Sequence, residues 1–362
     1  MDVQNPPGHG RTPTVEIDVG TAYELLMSLH VMTLLATHEP GDFDYEVGEE
    51  WFNAVRAKAS PELLTAIDQF SLNYCGIWGH LFGLAYDCSP PRDVSSLIAH
   101  IKALDPFEVR LHLFGYYQRS FRRTTPLDII LQAAEDDQEA QRQFLKTSIR
   151  DDADWQEVLC HFFSIDAKTT KTMLLDILRG WYDQVFRDQE QLILPILERD
   201  AEAKRTLKQT MTVERLVETA TNGLEYVPEP AFRKVLLIPS YVLRPWNEPS
   251  EYQDIKIFCY PVADESVVED SNVPPVRLVR LYKALADERR LRILKMLMTR
   301  SYSLQELTDE FGIAKSTMHH HLGTLRTAGL VRARPDNKMY SLRQGMLSEV
   351  SELLNTYLKG KS

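Results

Sequence analysis

The sequence predicts a mainly α protein in two parts. A large N-terminal helical domain with a small β-sheet is followed by a small basic domain of helices and a β-hairpin. Three observations carry this. From about residue 21 to residue 222, apolar residues recur at helical spacing between recognisable starts and stops. Short runs at 14–19, 232–239 and 254–261 read instead as strands. Charge is segregated: residues 276–362 hold 16 Lys+Arg against 8 Asp+Glu, or +8, so the other residues carry −19 of the net −11. A basic segment suits a polyanion, and the acidic remainder should lie away from it. A chain of 362 residues with 44% hydrophobic residues is long enough for two or three globular domains.

Taken in order, residues 1–12 are rich in Pro and Gly and read as disordered. Thr14-Val-Glu-Ile-Asp-Val19 alternates and reads as a strand. Helices are predicted at 21–37, 46–58, 60–74, 76–86, 93–103, 106–119, 126–134, 136–149, 153–163, 167–199 with a break near Pro195, and 201–221. Ser60 before Pro61, and Asp93 before Val94, are good helix starts. Asn222-Gly223 reads as a helix stop. The strands 232–239 and 254–261 flank a loop, Arg244-Pro-Trp-Asn-Glu-Pro249. With 14–19 they form a small sheet that brings the two ends of a 14–262 domain side by side. Residues 263–275 are acidic, end in Pro-Pro and read as a linker to a 276–362 domain.

In that last domain, 276–298 supplies two helices whose Leu281, Leu285, Leu291, Leu294 and Leu297 should pack beneath the helices of 304–330. Residues 304–330 read as two short helices with a tight turn. Leu304, Leu307 and Phe311 share one face of the first; Met318, Leu322 and Leu325 share one face of the second. Ser303 with Glu306 fits a capping box, Gly312 a left-handed stop, Ser316 a cap for the second helix and Gly329 its close. This is a helix-turn-helix. Opposite Met318, Leu322 and Leu325 the second helix carries Ser316, His319, His320, Gly323, Thr324 and Thr327, led by Lys315 and Thr317. Small hydrogen-bonding groups around a glycine suit a helix that enters a major groove, although an ordinary helical hairpin with a polar face has the same pattern. Two alternating runs around Pro335-Asp336-Asn337 then make a β-hairpin, a wing, with Arg332, Arg334 and Lys338 at its arms and tip. Those cations, with Lys315, are candidates to hold phosphates; Ser316, Thr317, His319, His320 and Thr324 are candidates to read bases. Such a protein is a sequence-specific partner of double-stranded DNA.

The run Lys283-Ala-Leu-Ala-Asp-Glu-Arg-Arg-Leu-Arg-Ile-Leu294, then 304–311, then Ser316-Thr-Met-His-His-His-Leu-Gly-Thr-Leu-Arg-Thr-Ala-Gly-Leu-Val331, resembles the ArsR-type (arsenical-resistance repressor-like) winged helix-turn-helix regulators over roughly 276–360. The resemblance implies a homodimeric transcriptional repressor that leaves its operator when a signal binds, and a bacterial source. The thiolate ligands of the family's metal sensors would fall near Ser303 and Gln305, neither of which binds a soft metal as a thiolate does. The final helix, 344–359, also lacks His and Cys. Its stripe of Leu347, Val350, Leu354 and Tyr357, widened by Leu353 and Leu358, reads as a dimer interface, the alternative being packing on its own chain.

The large domain shows no GxSxG, HExxH, P-loop or GxGxxG, so no enzyme activity, cofactor or metal is expected. His80, His100, His112 and His161 lack metal-like partners at helical spacing, and Asp151, Asp152 and Asp154 read as helix-start carboxylates. Trp78, His80, Phe82 and Tyr86 follow helical spacing, as do Arg110, Phe114, Tyr117 and Phe121, and Trp181, Tyr182 and Phe186. These fit plain core packing, or the lining of a site for an organic ligand. The domain is therefore read as a sensor of a small ligand or partner. The alternatives are a module for oligomerisation or protein interaction, or an enzyme to which the DNA-binding domain is auxiliary. Cys75, Cys88, Cys160 and Cys259 are dispersed and read as buried reduced thiols. No apolar leader begins the chain, and the most apolar helical stretch, 22–36, contains Glu24, Ser28 and His30; a cytoplasmic protein without a membrane span is expected.

Overall fold

A computed structural model describes residues 12–37, 45–147, 153–267, 274–334, 339–343 and 345–359. Residues 1–11 of the stretch read as disordered, Asp151 and Asp152, linker residues 268–273, the hairpin turn with Lys338, Gln344 and the side chain of Leu347 lie outside that description. The chain is mainly α, with two compact units. The larger joins Thr14–Ala201 to Ala231–Pro261; the smaller joins Glu202–Pro230 to the residues from Val262 onward. The expected 14–262 domain runs across this division, because 202–230 packs with the C-terminal helices and hairpin.

In the larger unit, β1 (Thr14–Ile17), β2 (Lys234–Ser240), β3 (Glu248–Tyr252) and β4 (Ile255–Pro261) form one sheet in the order β1-β2-β4-β3. β1 and β2 run parallel, as do β2 and β4, while β3 is antiparallel to β4. Val235, Leu236, Leu237 and Ile238 of β2 are completely buried, as a continuous apolar run in a parallel strand should be. The β1–β2 pair, with Thr14 opposite Lys234, joins the start of this unit to its returning segment. The fourth strand replaces part of the expected loop: the polar Glu-Pro-Ser-Glu-Tyr run pairs only with β4, an edge position where Pro249 is tolerated.

Helix Thr21–Thr37 is buried on every side through Val31 and Met32, so it is apolar all round rather than striped. Its polar groups are met inside. Ser28 accepts from Trp181 Nε1 at 2.8 Å, and Thr33 accepts from Trp78 Nε1 at 2.9 Å. Around it the aromatics pack on one another. Phe70 stacks on Trp78, while Trp155 meets Tyr74, His80 and Phe121. Arg110 is fully buried, donating to the carbonyls of Ala134, Phe162 and Ile165 and to Asp136. It ties helices together.

Several helix bounds move. The expected break near Pro195 is absent. Instead Ala167–Trp181 passes through one π turn, Tyr182–Phe186, into Arg187–Lys208, within which Pro195 removes a donor without ending the helix. The single 201–221 helix is split: the first part ends at Lys208, and α1 (Val213–Ala220) starts afresh at Thr212, whose side chain accepts from Arg215 N. The cysteines are unpaired thiols, but Cys160 is exposed and Cys75 half-buried, contrary to uniform burial. Among the described residues no helix is long and apolar enough to cross a membrane.

The smaller unit continues with α2 (Val276–Leu285), α3 (Glu288–Leu297), β5 (Tyr302–Ser303), α4 (Leu304–Phe311), α5 (Lys315–Thr327), β6 (Val331–Arg334), β7 (Met339–Leu342) and α6 (Met346–Lys359). Its antiparallel sheet has the order β5-β7-β6. Leu281, Leu294, Leu297, Leu307, Met318, Leu322, Leu325 and Val331 form its core. Leu285 is partly buried there, but Leu291 is 50% exposed; Ile293 takes the inward position.

Candidate nucleic-acid interface

Local chemistry fixes α4 and α5. Ser303 accepts from Glu306 N at 3.2 Å while Glu306 accepts from Ser303 N at 2.7 Å, so two donors at the helix start are satisfied reciprocally. Gly312 at φ 60° ends α4 in the left-handed region. α5 begins earlier than a Ser316 cap requires. Ala314 is its N-cap, without a side-chain bond, and Ser316 stands exposed in the first turn. Gly329 at φ 71° follows its end.

Burial of Met318, Leu322 and Leu325 against α3 and α4 turns the opposite face outward. Lys315, Ser316, His319 and His320 are exposed; Thr317 and Thr324 are half-buried. Thr327, also assigned to that face, is buried, with its carbonyl accepting from Asn222 Nδ2 at 3.1 Å. Thr324 donates to the His320 carbonyl at 3.0 Å, leaving its oxygen lone pairs available to an incoming donor. Partial burial, then Arg326 and Lys315, lower the His319 pKa, which favours a neutral ring with one donor and one acceptor nitrogen. His321, not singled out in the sequence, is buried, and neither ring nitrogen has a hydrogen-bond partner. Its pKa is likewise lowered, first by burial.

The wing's cations are placed differently from the helix's. Arg332 Nε donates to Glu218 at 2.7 Å, and Arg334 pairs with Glu225. Arg343 Nε lies 3.6 Å from the same Glu218, which Arg215 approaches at 3.3 Å. Backbone joins them too: Ala333 N donates to Gly223 O at 3.1 Å and Glu225 N donates to Ala333 O at 3.0 Å, making a parallel bridge between Leu224 and Ala333 on the free edge of β6. Asn222 completes the junction, accepting from Arg343 Nη1 at 3.0 Å. Thus Lys315, Ser316, His319 and His320 share an open face, whereas Arg332 and Arg334 face carboxylates. Glu218, Asn222 and Glu225 are not among the residues that the sequence marks for the site. The Asn-Gly stop marks the place, but no local pattern shows that it pairs with a strand about a hundred residues later.

Among the described residues, no group of three or more His, Cys, Asp or Glu is arranged to hold a metal. Where metal-sensor ligands would fall, Ser303 caps α4 and Gln305 donates to Asp309 at 2.8 Å.

The family described as bacterial regulatory protein, arsR family, matches residues 287–333. The transcriptional activator HlyU of Vibrio cholerae is 37% identical over 81 residues, covering 22% of this chain and 75% of that protein. The uncharacterized HTH-type transcriptional regulator YceK of Bacillus subtilis is 36% identical over 85 residues, 22% of this chain and 78% of its own length. An uncharacterized HTH-type transcriptional regulator of Methanocaldococcus jannaschii is 30% identical over 82 residues, 22% of this chain and 92% of its own. No solved structure matches the chain.

Proposed function

We propose that this chain, which belongs through its C-terminal part to the arsR family of bacterial regulatory proteins, is a transcriptional regulator that reads DNA with the exposed face of α5. The observation that carries this is the placement of Lys315, Ser316, His319 and His320 on one open face, opposite the buried Met318, Leu322 and Leu325. Ser316, Thr317, His319, His320 and Thr324 present donors and acceptors to base edges, while Lys315 and Lys338 hold phosphates. Substituting His320 by Ala should weaken binding to the specific site by about 1–3 kcal/mol and leave binding to random duplex nearly unchanged. Lys315→Ala should weaken both and flatten the salt dependence. Equilibrium titrations of the two variants on both duplexes separate these roles. Unchanged specific binding by His320→Ala removes it from the reading set.

A homodimer fits the same reading. Val276, Val279 and Tyr282 recur at spacing three on α2 and are each about two-fifths exposed, and Leu358 of α6 is 69% exposed. An apolar stripe of this kind is what an isologous interface covers. Val350, in contrast, is buried in its own unit and Leu353 packs beside it, so only part of the α6 stripe is available.

The larger unit is the sensor in this proposal. Ionisable groups lie within its interior: Glu24 accepts from the backbone N–H groups of Tyr241 and Val242 through Oε1, while its buried Oε2 has no hydrogen-bond partner. Burial raises its pKa to about 7. Groups held at such a cost cluster at functional sites. Thermal stabilisation of the full chain by a small metabolite supports sensing.

A further inference from the structure

The unexpected partner of the wing is the segment 213–225. It touches the DNA-reading apparatus at three points. Asn222 holds the last carbonyl of α5 through Thr327, and Leu224 bridges the free edge of β6 at Ala333. Glu218 and Glu225 take Arg332 and Arg334, the two described wing cations that the sequence assigns to phosphate. Arg332 and Arg334 share one side of β6, being two residues apart. The carboxylates meet them on that side.

Resting on the DNA-binding reading above, we infer that 213–225 is an electrostatic latch, in which Glu218 and Glu225 compete with DNA phosphate for Arg332 and Arg334 and hold the free protein in a weak-binding state. The energetics permit exchange. The Arg334 and Glu225 side chains are 35% and 32% exposed, so water and salt screen that pair; Glu218 is only 10% exposed, so its pair with Arg332 is screened less and opens at greater cost. Duplex DNA offers a dense row of phosphates and gains counterion entropy for each cation it recruits. Glu218 does not lose all its partners when Arg332 leaves, because Arg343 and Arg215 remain beside it. This lowers the cost of release.

The test uses the full chain and a random-sequence duplex, since phosphate recognition needs no operator. Anisotropy titrations at several salt concentrations compare wild type, Glu225→Gln, Glu218→Gln with Glu225→Gln, Arg334→Ala, and Glu225→Gln with Arg334→Ala. The latch predicts several-fold tighter binding by Glu225→Gln. Because the arginines reach phosphate in the wild-type complex as well, the slope of log affinity against log salt should stay close to that of wild type in the glutamine variants and flatten by about 0.9 in Arg334→Ala. Glu225→Gln should give no gain when Arg334 is already Ala. A gain that persists without Arg334 means that the carboxylates merely repel DNA, and overturns the latch. Unchanged affinity in a folded Glu225→Gln also overturns it. The single variant alters one partly exposed pair, and its circular dichroism and thermal unfolding establish the fold even where the double variant fails. Absence of binding by wild type and all variants alike contradicts the DNA-binding reading rather than the latch.

Discussion

Glu24 is a carboxyl group held in an environment that disfavours its charge. It sits in the first turn of the buried helix Thr21–Thr37, and its neighbours supply the Ser240 side chain and the backbone N–H groups of Val242 and Tyr241 as hydrogen-bond donors. Burial outweighs those donors and raises its pKa to about 7. Its folded-state pKa therefore lies above its unfolded value near 4.5. Its contribution to stability is fully present below that value and is lost as pH rises through about 7. Glu24→Gln keeps an acceptor for Tyr241 and Val242 but cannot ionise. Between about pH 5 and pH 8 the variant should gain on wild type by about 1–3 kcal/mol, read as the difference in urea unfolding free energy at each pH. A difference that does not vary with pH contradicts the assignment. His30 and His80, whose pKa values burial lowers to about 4, act in the opposite direction, but they are common to both proteins and cancel.

Among the elements, the glycines that follow α4 and α5 separate local strain from contact. Gly312 and Gly329 both have positive φ, but a Cβ on Gly312 meets nothing within 4 Å, whereas one on Gly329 comes 2.4 Å from Asn222 Oδ1. Gly312→Ala should cost about 1 kcal/mol, from backbone strain alone. Gly329→Ala should cost clearly more in denaturant unfolding, because the Asn222 junction must move. Equal costs contradict that junction. The same division between local and distant causes decides what is legible in the sequence. The Ser303–Glu306 box, the Gly312 stop and the Met318-Leu322-Leu325 face are written within a few residues of themselves, so spacing alone finds them. Strand β3 escapes such a reading because Glu-Pro-Ser-Glu-Tyr carries no apolar alternation; its place is set by β4. Ser316 looks like a cap because Ala314 begins α5 with no side-chain bond to mark it. The π turn at Tyr182–Phe186 leaves no periodic trace, whereas Pro195 draws attention and changes little. Least legible of all is the pairing of Glu218 and Glu225 with Arg332 and Arg334, since contact across so many residues depends on tertiary assembly.

At the scale of the whole molecule, the chain divides its labour by charge. The net −11 conceals a segment, residues 276–362, at +8 that contains the family match at 287–333 and the open face of α5. Not all of that positive charge faces a ligand: Arg290 binds the carbonyls of Ala284 and Lys283, and Arg300 pairs with Glu306. The number of phosphates neutralised should accordingly be smaller than the cation count suggests, and the salt slope reads that number directly. The measurement that tests the central claim is the binding of the purified full chain to duplex DNA from upstream of its own gene, followed by anisotropy at several salt concentrations with unrelated duplex as competitor, and with the stoichiometry taken at saturation. A regulator that reads sequence through α5 shows salt-sensitive binding that survives competitor, with two chains on each site. Binding that unrelated duplex removes equally well, at any salt concentration, contradicts α5 as a reader of sequence.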